Sequence, residues 1–200
     1  MTGSIDFYFE FASPYGYLAS FDIDDLAARH GRTVNWRPFM LGAIFKVTNS
    51  APMMTIPMKG DYMYRDVARC AKLMDVPLTK PDVAPMNSLA AMRVYYWLLD
   101  KDTGKAVAFA KAIYHAYWGE GRDMSPVDAV SAVAGDLGVE RSAVRAATQD
   151  VAVKDRLKRE TQTAIERGAF GSPFIFVDDE GYWGHDRMHQ IEHHLRHGGI

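Results

Sequence analysis

Apolar and polar residues alternate near the start of the chain, where Ile5, Phe7, Phe9 and Phe11 are separated by Asp6, Tyr8 and Glu10. A period of two predicts a β-strand over residues 5–11. The period then lengthens. Tyr15, Leu18, Ala19, Phe21, Leu26 and Ala27 fall on a helical face, and Gly31 stops that helix after Arg29. A second strand is predicted over residues 33–38 (TVNWRP). The opening segment therefore reads β-α-β, with the helix as the crossover between parallel strands.

The middle of the chain keeps the helical period. After a Pro- and Met-rich loop over residues 49–59, Met63, Val67, Cys70, Ala71 and Met74 recur at helix spacing. Leu89, Met92, Tyr96 and Leu99 do the same, as do Ala106, Phe109, Ala110, Ile113 and Tyr117. Ser125-Pro126 predicts another helix, with Ser125 as cap, Pro126 at the first helical position, Asp128 close behind and Gly138 at the end. Runs near 140–147 and 151–166 complete a helical block that closes at Gly168. Strand chemistry then returns at residues 174–177 (FIFV), followed by a turn at Asp178-Asp179-Glu180-Gly181 and a short strand at Tyr182-Trp183. Asp186 is expected to cap a last helix with Met188, Ile191 and Leu195 as its buried stripe, ended by Gly198-Gly199. The order β-α-β, helices, β-β-α predicts one α/β fold carrying a large all-helical insertion.

Composition narrows the function classes. With 48% hydrophobic and 24% charged residues, the chain of 200 residues has enough apolar material for a sizeable core. A net charge of -2 and a pI near 6.4 leave no basic surplus, so a nucleic-acid partner is not expected. No apolar run approaches the roughly 20 residues of a membrane span, and MTGSIDFYFEF lacks the cationic-then-apolar pattern of a signal peptide. Cys70 is the only cysteine and cannot form a bridge within the chain, which fits a reducing cytoplasm.

The chemistry concentrates where the first strand meets the first helix, at Ser13-Pro14-Tyr15-Gly16. Unpaired N–H groups and the positive end of a helix dipole favour an anion there. In thioredoxin-type β-α-β/β-β-α proteins this corner carries Cys-x-x-Cys, whose first thiol is acidified by that field. Neither sulfur is present here, which excludes dithiol–disulfide exchange at this site. One reading makes Ser13 a plain helix cap before Pro14. The other makes its hydroxyl a donor to a thiolate supplied from outside, with glutathione as the common small thiol of the cytoplasm. Phe170-Gly171-Ser172-Pro173-Phe174 supports the second, because a cis proline before the second strand pair would face the corner. The backbone before that proline would be free to pair with a bound peptide.

Across almost its whole length the chain resembles the glutathione-dependent 2-hydroxychromene-2-carboxylate isomerases, relatives of kappa-class glutathione transferases and DsbA-type oxidoreductases. The matching stretches are DFYFEFASPYGYLA, RPFMLGAIFK, NSAPMMTIPMKGDYMYRDVAR, PMNSLAAMR, AIYHAYWGEGRD, FGSPFIFV and YWGHDRM, in that order. The resemblance implies a thioredoxin-like domain of residues 1–45 and 168–200 and a helical insertion of residues 46–167. It implies that Ser13 holds and activates the glutathione sulfur, and that the Ser172 backbone, before cis Pro173, pairs with the cysteinyl part. Trp183, Gly184, His185, Asp186 and Arg187 would meet the γ-glutamyl end, with Asn49 near the thiol. Lys46, Met53, Met54 and Lys59 would line an aromatic 2-oxo acid, with Met86, Asn87 and Ser88 on the opposite wall. Gly16 departs from the serine often found in this family, and Met86 departs from an aromatic or polar residue.

The implied activity is glutathione-dependent cis–trans isomerisation of 2-hydroxychromene-2-carboxylate, or a related aromatic 2-oxo acid, to trans-o-hydroxybenzylidenepyruvate in aromatic hydrocarbon catabolism. The implied assembly is a homodimer in the cytoplasm. A kappa-like transferase and a non-catalytic glutathione- or peptide-binding module are the alternatives. Other signals carry less. His189, His193 and His197 recur every four residues, but the Met188/Ile191/Leu195 stripe predicts that they face solvent. Cys70 reads as a buried small hydrophobe. Tyr95, Tyr96, Trp97, Tyr114, Tyr117 and Trp118 read as insertion core and dimer contact.

Overall fold

The computed structural model describes residues 3–199. Its sheet has four strands in the order β2-β1-β3-β4: β1 Ser4–Phe9, β2 Thr33–Pro38, β3 Phe174–Val177 and β4 Glu180–Trp183. β1 runs parallel to β2 and antiparallel to β3, and β3 pairs antiparallel with β4. Helix α1 (Pro14–Arg29) is the crossover between β1 and β2. Eight further helices follow: α2 Leu41–Thr48, α3 Lys59–Leu73, α4 Leu89–Leu99, α5 Thr103–Tyr114, α6 Val127–Asp136, α7 Arg141–Gln149, α8 Val151–Glu166 and α9 Met188–His197. This is the predicted α/β fold with a helical insertion. No helix among the described residues is long and apolar enough to cross a membrane.

β1 is buried on both faces, which explains its apolar content. Ile5, Phe7 and Phe9 pack into the larger core with α1, α4 and α5, while Tyr8 faces a second cluster with Phe39, Ile44, Ala164 and Phe176. Each fully buried Phe contributes about 1.5–3 kcal/mol relative to exposure. Asp6, also on that second face, is held by Arg37 at 2.8 Å and by Arg167. The outer edge of β2 is closed by side chains from α4. Tyr95 Oη donates to the Trp36 carbonyl and Tyr96 Oη to the Pro38 carbonyl, each at 2.7 Å.

The structure differs from the sequence reading at several ends. β1 stops at Phe9 rather than residue 11 because the next backbone groups are used elsewhere. Glu10 N–H donates to Ser172 Oγ at 2.9 Å, and the Glu10 carbonyl accepts from Ser13 N at 2.9 Å. Helix α2 was not predicted, and the boundary expected at residue 46 falls inside it. Pro126 stands at the cap position of α6 with extended backbone, and Ser125 Oγ accepts from Asn87 N instead of capping that helix. Asp178 and Asp179 both have positive φ, so the hairpin turns on those two residues and Glu180-Gly181 belong to β4. Asp186 does not cap α9. It lies in a short 3-10 turn, His185–Arg187, and pairs with Arg187.

Candidate active site

Ser13 caps α1 as the sequence predicts. Its backbone is extended (φ -87°, ψ 116°) and its Oγ accepts from Gly16 N at 3.1 Å. The same hydroxyl donates to the Ser172 carbonyl at 2.7 Å, and the Ser172-Pro173 peptide is cis. The corner and the cis-proline loop, far apart in sequence, are thus joined through both serines: Ser13 to the Ser172 carbonyl, and Ser172 Oγ to Glu10 N. Both serines are buried. Among the described residues, the backbone N–H groups of Tyr15 and Ser172 have no partner. Tyr15 N–H belongs to the first turn of α1, where the dipole favours an anion.

The insertion holds this corner from behind. Tyr114 Oη, at the end of α5, donates to the Glu10 carbonyl at 3.1 Å. Trp118 Nε1, in the π-helical turn His115–Gly119, donates to the Phe11 carbonyl at 3.0 Å. Gly16 has a steric reason here, because a Cβ on it would overlap Tyr114 Oη and stand 3.2 Å from Ser172 Oγ. Tyr114, Tyr117 and Trp118 are core residues, in agreement with the sequence reading.

The β4–α9 segment docks against the same corner. Gly184 has φ 109° and its N–H donates to the Pro173 carbonyl at 3.1 Å. His185 stacks on Tyr15, with ring centroids 5.3 Å apart and planes 15° from parallel. Burial holds His185 below its usual pKa, against the pull of Asp186, Asp66 and Asp22. Tyr15 Oη donates to Asp66 Oδ2 at 2.9 Å, tying α1 to α3. Trp183 is half-exposed and meets Phe170 edge-on at 4.9 Å. Its indole covers Gly171, so a Cβ at that position would overlap it. Trp183, Gly184, His185, Asp186 and Arg187 therefore lie on a segment fastened to the Ser13 corner.

The expected substrate wall is looser. Lys46 is exposed on the last turn of α2, and exposed Asn49 closes that helix in the left-handed conformation (φ 52°). Met53 is exposed in a 3-10 turn, whereas Met54 is half-buried against the core. Lys59, exposed, opens α3. Met86 is buried in the main core, with its N–H on Tyr117 Oη at 3.2 Å. Asn87 is exposed and its Oδ1 accepts from Leu89 N at 3.2 Å. A groove of about 410 Å³, lined by Met58, Tyr64 and Lys80 among others, shares only Met54 with this wall. Cys70 is half-buried and burial pushes its thiol up, away from nucleophilic character. His189, His193 and His197 are exposed, as the helical stripe predicts.

Sequence reading gave Glu10 and Asp66 no part in the corner, and read Tyr15 only as a helix residue within it and Tyr114 and Trp118 only as insertion core and dimer contact. Glu10 passed as the polar member of an alternating strand, although its place three residues before Ser13 was a signal. Its carboxylate folds back to accept from Ala12 N at 3.2 Å. Burial pushes its pKa up to about 7, against the nearby Ser88 hydroxyl and backbone N–H groups, which favour the charge.

Residues 4–196 match the family described as a DSBA-like thioredoxin domain. The chain is 33% identical to a 2-hydroxychromene-2-carboxylate isomerase of Sphingobium xenophagum, over 98% of this chain and 99% of the relative. A glutathione S-transferase kappa 1 of Caenorhabditis elegans is 29% identical over 94% of this chain and 88% of the relative. A solved 2-hydroxychromene-2-carboxylate isomerase superposes with a TM-score of 0.86 at 32% identity, covering 96% of this chain and 94% of that one. With its sulfur-free Ser13 corner and full-length correspondence, the chain belongs to the DsbA-like thioredoxin-domain family, in its 2-hydroxychromene-2-carboxylate isomerase branch.

Proposed function

We propose that this protein is a glutathione-dependent cis–trans isomerase acting on 2-hydroxychromene-2-carboxylate or a related aromatic 2-oxo acid. The observation that carries the reading is the Ser13–Ser172 bond across a cis proline, at the N-terminus of a long helix. When bound, glutathione would supply a sulfur nucleophile able to open the substrate double bond to rotation reversibly, without being consumed.

The residues present fit that group. Ser13 has one hydroxyl proton, now given to the Ser172 carbonyl. Turning that proton toward a sulfur anion frees the carbonyl, while Gly16 N keeps its bond to Oγ. The freed carbonyl and the unpaired Ser172 N–H then offer both halves of a strand-like pairing to a tripeptide. One rotation thus prepares the sulfur position and the peptide position together. The Tyr15 N–H and the α1 dipole add to the stabilisation of the anion. On the substrate side, Lys46 would attract the carboxylate, while Met53 and Met54 would face the ring; Asn49 would offer its amide near the sulfur.

A kappa-like transferase, in which the sulfur stays on its electrophile, is the second reading, favoured by the kappa relative. The deciding assay follows chromene absorbance with and without reduced glutathione. Turnover that requires glutathione and leaves it unconsumed supports the isomerase. Conjugation of chlorodinitrobenzene without chromene turnover supports the transferase instead.

A further inference from the structure

Glu10 is a half-buried acid in a pocket proposed to hold a second negative charge. Its backbone lies between the two serines of the site: Glu10 N–H on Ser172 Oγ, and its carbonyl shared by Ser13 N and Tyr114 Oη. Its carboxylate accepts from Ala12 N, the residue next to Ser13. The groups that favour its charge are all neutral. From its own loop come the N–H groups of Phe11 and Ala12, and from the start of α2 the Leu41 N–H. From the start of α4 comes the Ser88 hydroxyl, buried with no partner at hydrogen-bond geometry. The phenols of Tyr114, at the end of α5, and Tyr117, in the π turn, have their ionisation opposed by burial first and also by the Glu10 charge. Among the described residues no Lys, Arg or His forms an ion pair with it.

Two anions cannot share such a site cheaply, because like charges with little solvent between them raise one another's proton affinity. We propose that Glu10 accepts the thiol proton of glutathione, so that the pocket exchanges a carboxylate charge for a sulfur charge. The S–H bond breaks with its electron pair left on sulfur, and the proton forms an O–H bond on Glu10. The charge of the pocket is unchanged. The linkage is an equilibrium one and requires no direct contact between carboxyl and sulfur. This inference rests on the reading of Ser13 as the sulfur site.

The test counts the protons released when reduced glutathione binds, by calorimetry in buffers of different ionisation enthalpy. A free thiol of this kind has a pKa of about 8.5, so it arrives protonated. At about pH 8 the wild-type protein should release close to none, and Glu10→Gln about three quarters of a proton per site. At about pH 6, where Glu10 already carries its proton, both should release nearly one. Equal counts for the two proteins at the higher pH would overturn the proposal. If circular dichroism shows Glu10→Gln unfolded, Ser88→Ala decides. Removing a hydroxyl that favours the carboxylate should move the change from release to retention to higher pH, and an unmoved change overturns the proposal. Wild-type protein that gives no heat with glutathione removes this inference and the isomerase reading together. Intact proton counts without chromene turnover remove only the isomerase reading.

Discussion

The two sides of the site are built differently. On the sulfur side, Ser13, Ser172, Glu10, Tyr114 and Trp118 are joined by hydrogen bonds of 2.7–3.1 Å between segments far apart in sequence. On the substrate side, Lys46, Met53 and Lys59 are exposed on α2, on the loop after it and at the start of α3. A site organised before its ligand arrives loses little freedom on binding, whereas a wall of exposed side chains adapts and discriminates less. Under the proposed function, the comparison assigns cofactor chemistry to the rigid corner and substrate choice to the open loop.

Three substitutions sharpen or break that contrast. The largest effect is expected from Ser13→Gly, which keeps most of the helix cap but removes the hydroxyl donor. Turnover should fall by about 10²–10³-fold, as when one preorganised donor is lost, with the melting temperature lowered by only a few degrees as the Ser172 carbonyl loses its donor. Steady-state rates and a melt on the same sample separate the two roles, and unchanged turnover would reduce Ser13 to a cap.

Next is Gly16→Ala, whose added methyl collides with Tyr114 Oη. Overpacking of this kind costs about 1–3 kcal/mol, read as a lower urea midpoint. Tyr114→Phe in the same background should recover part of it, and no recovery would mean that the corner is softer than described. The smallest effect belongs to the open side. Lys46→Ala should raise KM for a carboxylate substrate about two- to fivefold, roughly the size of one exposed charge contact. The KM for glutathione should hold, and the defect should shrink as salt is added. A change in the glutathione KM instead would place Lys46 on the sulfur side.

How much was legible in the sequence depended on whether a residue's job was local. The β-α-β opening, the helical block and the closing hairpin were readable because their apolar residues keep a period over many positions. The Ser13 cap was readable because capping involves neighbours only. Helix α2 was not, since only Ile44 of its eight residues is buried and Gly42, Val47 and Thr48 weaken its helical signal. Ser125 and Asp186 misled for the opposite reason: each has the right residue type before a helix, but Asn87 and Arg187 take their oxygens. Glu10 was hidden most completely. Its meaning comes from Ser172 and Tyr114, distant partners of its backbone that no local pattern can supply.

The α4 tyrosines bear on how copies of this protein can meet. A bare outer strand offers alternate carbonyls to any passing chain and invites sheet-to-sheet fusion. Here the Trp36 and Pro38 carbonyls are already taken by phenols, and Pro38 has no N–H to offer in return. That rim is therefore a poor template for a second molecule, and self-association through added strands must look elsewhere on the surface.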